Sequence, residues 1–265
     1  MSNIHPTAII EDGATIGNDV TIGAYAYISA KASIGDGTTI ASHAVIDGDT
    51  TIGKNNRIFS HAVVGSIPQD LKYSGEDVQL IIGDNNIIRE FTLINPGTQG
   101  GGSVTKIGNG NLLMGYVHLG HDVIMGDNCI LANGATLAGH VELGNHVVIG
   151  GLTPIHQFVH IGDYAMVAGA SALSQDVPPF CLVEGNRAKL KGLNLTGLRR
   201  HISRDEINEL KSAYKELFEQ GKPLQDVAKT LYETSSSTNI KKLCQFIMES
   251  KRGIPFDRKT NKEDN

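Results

Sequence analysis

Three histidines recur at a spacing that could bring them together. Leu119, Leu137 and Ile155 are eighteen residues apart, and a chain that coils with that period places the residues following each of them on one edge. His121 would lie beside Gly139 and His140, and these would lie beside His156 and Gln157. His118 would stand one step before the same edge. Histidine transfers protons near neutral pH, and histidines of neighbouring coils can also bind zinc. The edge therefore predicts a general base or a metal site.

The chain does carry the repeat that such coiling needs. Isoleucine or valine recurs every six residues from Ile4 to Val64, and an aliphatic residue or Met does so from Ile107 to Leu173. Six is a multiple of two, so each marked residue can face inward from an extended segment, whereas a helix would rotate it by about 120° per interval. Three such faces make a triangular coil of eighteen residues. The period predicts a mainly β solenoid, a parallel β-helix.

Smaller features of the repeat carry their own predictions. Glycine often follows the marked residue, as at Gly35 and Gly126, where we expect a turn with positive φ. His43 and His61 are also eighteen residues apart and are predicted to form a surface ladder rather than a site.

The repeat ends at Pro178 and Pro179, and helical patterns follow. Ser203 with Glu206 predicts a capping box for a first helix that ends before Gly221. Two further helices are predicted at about 223–233 and 239–252. We thus divide the chain into a β-helix at 1–180 and a connector with a C-terminal α-helical domain at 181–265, with a mobile tail after Asp257.

Two interruptions of the repeat are the places to look for function. The first spans roughly 66–79, and the second spans 96–105 and carries Gln99 with three consecutive glycines. Loops on a rigid scaffold commonly carry binding residues. Both loops are therefore predicted to contribute to a site.

Composition narrows the class of protein. A formal net charge of −5 argues against nucleic acid as the main partner. The three cysteines have no metal-like pairing, and Cys129 occupies a small inward position where packing is its expected role. The absence of a signal peptide and of a membrane-spanning stretch predicts a cytoplasmic enzyme.

Several segments resemble a known family. The repeat resembles the hexapeptide-repeat acyltransferases, and this resemblance implies that the β-helix is left-handed. More specific are segments similar to the UDP-N-acetylglucosamine O-acyltransferases of lipid A synthesis over essentially the whole chain: Gln69-Asp-Leu-Lys-Tyr, Asn111-Leu-Leu-Met, His121-Asp122, Cys129-Ile-Leu-Ala-Asn, Ala135-Thr-Leu-Ala-Gly-His140, His156-Gln-Phe and Gln175-Asp-Val-Pro-Pro.

The resemblance implies transfer of an R-3-hydroxyacyl group from acyl carrier protein to the glucosamine 3-hydroxyl of UDP-N-acetylglucosamine. It implies a homotrimer, no metal and no cofactor of its own, because the donor carries the phosphopantetheine. His121 matches the general base, Asp122 would orient its imidazole, and Gly139 matches the N–H donor to the oxyanion. The substrate-binding positions it implies are Asp70, Lys72, His118, His140, His156, Gln157, Asn194 and Arg200, with Gly169 as the residue that limits acyl length.

The connector departs from the family pattern. Thr196 stands where members often carry Glu, and His201 stands where they often carry a second Arg. The sequence does not say which groups would balance the negative charge of the diphosphate with one guanidinium fewer. Six basic residues and no acidic ones lie between Asn186 and Arg204, a local excess that predicts docking of the acidic carrier there.

Other function classes remain open from sequence alone. A zinc enzyme like the γ-type carbonic anhydrases shares the β-helix and could use the same histidines. An acyltransferase with another sugar acceptor and a non-catalytic scaffold are the remaining alternatives.

Overall fold

The structure, a computed structural model, describes residues 2–257, so the predicted mobility of the tail beyond them lies outside the described range. Most of its strands are only two residues long. In chain order they are β1 (Asn3–Ile4), β2 (Ile9–Ile10), β3 (Thr15–Ile16), β4 (Thr21–Ile22), β5 (Tyr27–Ile28), β6 (Ser33–Ile34), β7 (Thr39–Ile40), β8 (Val45–Ile46), β9 (Asp49–Ile52), β10 (Arg57–Ile58), β11 (Val63–Val64), β12 (Gln79–Ile82), β13 (Ile87–Ile88), β14 (Leu93–Ile94), β15 (Val104–Ile107), β16 (Leu112–Leu113), β17 (His118–Leu119), β18 (Ile124–Met125), β19 (Ile130–Leu131), β20 (Thr136–Leu137), β21 (Glu142–Leu143), β22 (Val148–Ile149), β23 (Pro154–Ile155), β24 (His160–Ile161), β25 (Met166–Val167), β26 (Cys181–Glu184) and β27 (Lys189–Leu193).

These strands form three sheets, the faces of a triangular prism. Successive strands along the chain go to successive sheets, and each pairs in parallel with the strand three places further on. Leu119 pairs with Leu137 and Leu137 with Ile155, which is the eighteen-residue register that the period predicts. The two interruptions are extruded as loops, because Val64 pairs with Ile94 across the first and Ile94 pairs with Leu119 across the second.

The marked residues fill the prism. From Ile22 to Leu173 each of them is 4% exposed or less. Ile4, in the first described coil, is 42% exposed, because the described coils cover it from one side only. The period therefore predicted the core correctly except at this open end.

The prediction of positive φ is wrong for Gly35 and Gly126, although Gly65, which follows Val64, does have a positive φ. The left-handed conformation belongs instead to corner residues with side chains, among them His43, Asp122 and His140. The glycines are needed for space, since a Cβ on Gly35 would lie 2.5 Å from the carbonyl carbon of Gly53, and one on Gly126 would lie 2.8 Å from that of Gly144.

Corner side chains in this conformation stack from coil to coil. One corner, here the aromatic corner, carries five near-parallel rings with centroids 5.0 to 5.2 Å apart: Tyr25, His43, His61, Phe91 and Tyr116. The predicted surface ladder of His43 and His61 is part of this stack. The next corner along the chain is the histidine corner, with Asp122, His140 and Phe158, and the third is the connector corner, with His146, Tyr164 and Phe180.

The C-terminal part closes the prism. Strand β26 still pairs in parallel with β25 and turns back as a hairpin with β27, so the first sheet continues past residue 180. The helices are α1 (Leu195–Leu198), α2 (Arg204–Phe218), α3 (Leu224–Thr234) and α4 (Thr238–Glu249). The Ser203–Glu206 capping box is confirmed. The predicted end of the last helix at Arg252 is wrong. The helix ends at Glu249, because the Ser250 hydroxyl and the Arg252 N–H donate to Asp176. Within residues 2–257, no helix has both the length and the apolar character that crossing a membrane requires.

Candidate active site

The histidine corner brings the predicted edge residues together. The amide of His140 donates to the carbonyl of His121 at 2.9 Å, and the amide of Phe158 donates to the carbonyl of Gly139 at 3.2 Å. The His121 and His140 rings meet edge to face at 5.0 Å, and the Phe158 ring stacks on His140 at 4.4 Å. The stacking predicted from the eighteen-residue register therefore exists.

Asp122 fixes the orientation of the His121 imidazole. The His121 Nδ1–H donates to Asp122 Oδ2 at 2.7 Å, and the carboxylate is 1% exposed. Thr98 holds that carboxylate from the other side, through its amide at 2.8 Å and its hydroxyl at 2.6 Å. With Nδ1 occupied, Nε2 of His121 is left as a lone-pair acceptor, which is the form that a general base requires.

Gly139 lies directly against the His121 ring. A Cβ at this position would meet His121 Cε1 at 2.5 Å and Nε2 at 2.6 Å, so any side chain here would displace the imidazole. The N–H of Gly139 has no hydrogen-bond acceptor among the described residues. This free N–H beside the imidazole is the donor that a developing oxyanion needs.

Two neighbouring histidines are held neutral. Burial lowers the pKa of His118 below its usual value, and its Nδ1 is buried without a partner within the described chain. Burial also lowers the pKa of His140, against an opposing effect of the Asp122 carboxylate. Both rings are therefore neutral at neutral pH.

The two predicted loops meet over this corner. Asp70 and Lys72 of the first loop line a cleft of about 330 Å³ with Gln99 of the second loop, His140 and Phe158. The Asp70 carboxylate accepts the amide of Lys72 at 3.0 Å, which shapes the loop tip. His156 and Gln157 are exposed one coil further on, where the His156 Nδ1–H donates to the Gln157 carbonyl at 3.1 Å.

The predicted nucleotide-binding residues lie elsewhere on the chain. Asn194 is buried at the connector corner, where its side chain caps α1 by accepting the Gly197 amide and donates to the Tyr164 carbonyl at 3.0 Å. Arg200 is exposed beside it, as is Thr196 on α1. His201 packs on His146 with ring centroids 4.7 Å apart. The structure thus gives Asn194 a capping role, and its contact with a nucleotide stays a prediction.

Gly169 lies near the aromatic corner, away from His121. Its φ is ordinary, and the left-handed residue of that turn is Ala170. A Cβ at Gly169 would meet the Gly151 carbonyl oxygen at 3.4 Å, an ordinary contact. The turn itself therefore does not require glycine here.

The geometry could also accommodate a metal ion. His121, Asp122 and His140 each offer a ligand atom within 4.8 Å of the others. However, both Asp122 oxygens already accept hydrogen bonds from Thr98 or His121.

Thr98 and Phe158 are the site residues that sequence reasoning missed. Phe158 stands eighteen residues after His140, so the repeat itself contained the signal. Thr98 lies in the second loop, where no period applies.

Comparisons with known proteins give the family. The family model described as UDP-N-acetylglucosamine O-acyltransferase domain 2 matches residues 176–255, and the bacterial transferase hexapeptide model matches residues 105–139. The chain is 77% identical over 260 residues to the acyl-[acyl-carrier-protein]–UDP-N-acetylglucosamine O-acyltransferase of Sulfurovum sp. (strain NBC37-1), covering 98% of this chain and 100% of that one. It is 71% identical over 259 residues to the enzyme of the same name from Sulfurimonas denitrificans, covering 98% and 99%.

Solved structures agree with these relatives. The UDP-N-acetylglucosamine acyltransferase from Campylobacter jejuni superposes with a TM-score of 0.94 at 54% identity, covering 97% of this chain and 100% of that one. The Francisella novicida enzyme gives 0.93 at 36% identity, covering 97% and 95%. The predicted left-handed hexapeptide-repeat β-helix with a C-terminal helical domain is thereby confirmed. Given this similarity along nearly its entire length, the chain belongs to the UDP-N-acetylglucosamine O-acyltransferase family.

Proposed function

We propose that this chain transfers an R-3-hydroxyacyl group from acyl carrier protein to the 3-hydroxyl of UDP-N-acetylglucosamine, the first step of lipid A synthesis. The names of its relatives support the acyltransferase activity and both substrates. The observation that carries the mechanism is the pairing of His121 with Asp122 beside the free N–H of Gly139.

The reaction uses His121 as general base. Its Nε2 takes the proton of the sugar 3-hydroxyl while that oxygen attacks the thioester carbonyl. Asp122 stabilises the imidazolium that forms, and the Gly139 N–H donates to the oxyanion. Collapse of the tetrahedral intermediate breaks the carbon–sulfur bond, and the departing thiolate of the carrier takes the proton from His121. The proposal assigns proton transfer to His121 and oxyanion binding to Gly139, and it includes neither a metal nor a cofactor of the enzyme.

The acceptor is proposed to bind between the two loops and the histidine corner. Asp70, Lys72 and His140 line the cleft there, and His118 lies on the strand that precedes His121. His156 and Gln157 extend the same edge toward the last coil.

A homotrimer is part of the proposal. His121 lies at the histidine corner, whereas Asn194 is hydrogen-bonded to Tyr164 at the connector corner of the same chain. A nucleotide sugar that contacts His121 and the Asn194–Arg200 region must therefore lie between two copies. Three copies close such a head-to-tail arrangement. We also propose a cytoplasmic location, where acyl carrier protein and nucleotide sugar are both available.

The zinc alternative remains distinguishable by experiment because the His121, Asp122 and His140 atoms are close enough to share an ion. The purified protein would be incubated with UDP-N-acetylglucosamine and 3-hydroxyacyl carrier proteins of several chain lengths, with and without a chelator, and the product identified by mass. We expect the 3-O-acylated nucleotide sugar in both arms. Loss of product with chelator would favour a metal site, and an acylated product from another sugar only would refute the proposed acceptor.

A further inference from the structure

A second groove leaves the histidine corner in the direction of the helical domain. It encloses about 390 Å³, and its lining begins at Asp122 and His140 and ends at Asp176, Lys251 and Arg252. The first cleft, with Asp70 and Lys72, leaves the same corner toward the loops. The two clefts share His140 and Phe158, and the His140 ring contacts His121 edge to face. Two channels therefore meet beside His121, which suits a reaction between two large substrates.

Asp176 fixes the far end of this groove. It lies one coil beyond Phe158, directly before Val177, which pairs with Ile161, and is 1% exposed. Its carboxylate accepts the His160 amide at 2.9 Å, the Ser250 hydroxyl at 2.7 Å and the Arg252 amide at 3.2 Å. The segment after α4 is thereby tied to the last coil, and Lys251 is held between two of these anchored residues.

Lys251 is the cation of the groove whose side chain has no polar partner among the described residues. Glu142 lies 3.4 Å from His160, and the Asp122 and Asp176 carboxylates accept hydrogen bonds from other groups. The guanidinium of Arg252 is partly occupied, since its Nε donates to the Ser174 carbonyl at 2.9 Å. Lys251 is exposed and forms no salt bridge with any described acidic residue. Its ammonium is available for an anionic group of a ligand.

The length of the groove indicates which anionic group Lys251 would bind. Asp122 and Asp176 line the same groove three coils apart, which at about 4.8 Å per coil is roughly 14 Å. In a pantetheine arm, thirteen bonds separate the thioester sulfur from the phosphorus. At about 3.5 Å for every three chain bonds, an extended arm spans roughly 15 Å. The diphosphate of a nucleotide sugar is much closer to the reacting hydroxyl, because only the sugar ring separates them.

We propose that Lys251 binds the phosphodiester of the donor's phosphopantetheine arm, and that the groove from His140 to Asp176 holds the extended arm. This inference rests on the proposed function and identifies the donor channel of that site. The hairpin strand β27 adjoins the same segment, since the Leu190 amide donates to the Pro255 carbonyl and Lys189 pairs with Asp257 at 3.1 Å. The arm would thus enter from the side of the basic connector.

Two truncated donors test the assignment: a 3-hydroxyacyl thioester of 4′-phosphopantetheine and the same thioester of pantetheine, which lacks the phosphate. For the wild type we expect kcat/KM to be about five-fold higher with the phosphate, the scale of a partly exposed charge pair. Lys251→Ala should remove that preference while leaving kcat/KM for the pantetheine donor unchanged. Lys251→Arg should retain it.

Lys229→Ala is the matched control, because Lys229 is an exposed lysine on α3 away from the groove, and it should keep the wild-type preference. A phosphate preference that survives in Lys251→Ala would overturn the inference. So would a raised KM for UDP-N-acetylglucosamine in that variant, which would assign Lys251 to the nucleotide. In either outcome, turnover by the wild type would still support the proposed function. A wild type that is inactive with every donor would refute both the proposed function and the role of Lys251.

Discussion

At the scale of single residues, the site depends on groups that restrict one another. His121 can act only from the rotamer that Asp122 and Thr98 hold, and it fits only because residue 139 has no side chain. The pairing of His121 with Asp122 could be predicted because the two are adjacent and the register places them at a corner. The contact of Thr98 with Asp122 could not be predicted, because Thr98 lies in the second loop, whose conformation does not follow the repeat.

The buried histidines predict a pH dependence of stability. Burial lowers the pKa of His118 in the folded protein, whereas the unfolded chain has a value near 6.5. Between the lowered pKa and about 6.5 the unfolded state binds more protons, so the free energy of unfolding falls as pH drops through that window. Urea unfolding of His118→Asn at a series of pH values should show a shallower fall than the wild type. If the free energy of unfolding fell equally with pH in both proteins, His118 would not contribute to the pH dependence of stability.

Gly169 predicts a change in acyl selectivity. Gly169→Met should fold normally, because the backbone φ is ordinary and a Cβ makes ordinary contacts with Gly151, at 3.4 Å from its carbonyl oxygen and 3.6 Å from its nitrogen. The added side chain would exclude the end of a long acyl chain, so kcat/KM should shift toward shorter 3-hydroxyacyl donors. Selectivity unchanged across donor lengths would show that this position does not limit the chain.

At the scale of elements, the period predicted which residues face inward but not what the glycines do. Inward packing follows from alternation along each strand, which is a local property. Glycine is needed at position 35 because the backbone of Gly53, in the next coil, lies where a Cβ of residue 35 would be. The end of α4 was likewise set by Asp176, a residue distant in sequence.

This distinction gives a paired prediction for stability. Gly35→Ala should lower the free energy of unfolding by about 1–3 kcal/mol, the usual cost of overpacking. Gly100→Ala should have a far smaller effect, because a Cβ there meets no atom within 4 Å. Denaturant titration of both variants would check this. Equal effects would mean that close approach between coils is not why glycine recurs.

At the scale of the whole molecule, the proposed binding of the nucleotide sugar to both His121 and the Asn194–Arg200 region predicts that activity depends on assembly. Light scattering should give the mass of three copies, and specific activity should fall on dilution below the concentration at which they dissociate. Full activity of a dissociated monomer would contradict a site shared between copies. No sequence pattern predicted the separation of His121 from Asn194, because the position of Asn194 depends on how the connector folds back onto Tyr164.

The most direct test of the account is the turnover of His121→Ala beside His43→Ala, a histidine of the aromatic corner that faces no part of the site. Loss of the general base should lower kcat by about 10² to 10⁴-fold. The circular dichroism spectrum and the oligomeric mass should stay those of the wild type, and His43→Ala should retain near-normal kcat. Near-normal kcat in a folded His121→Ala protein would contradict the central claim that this imidazole removes the proton of the sugar hydroxyl.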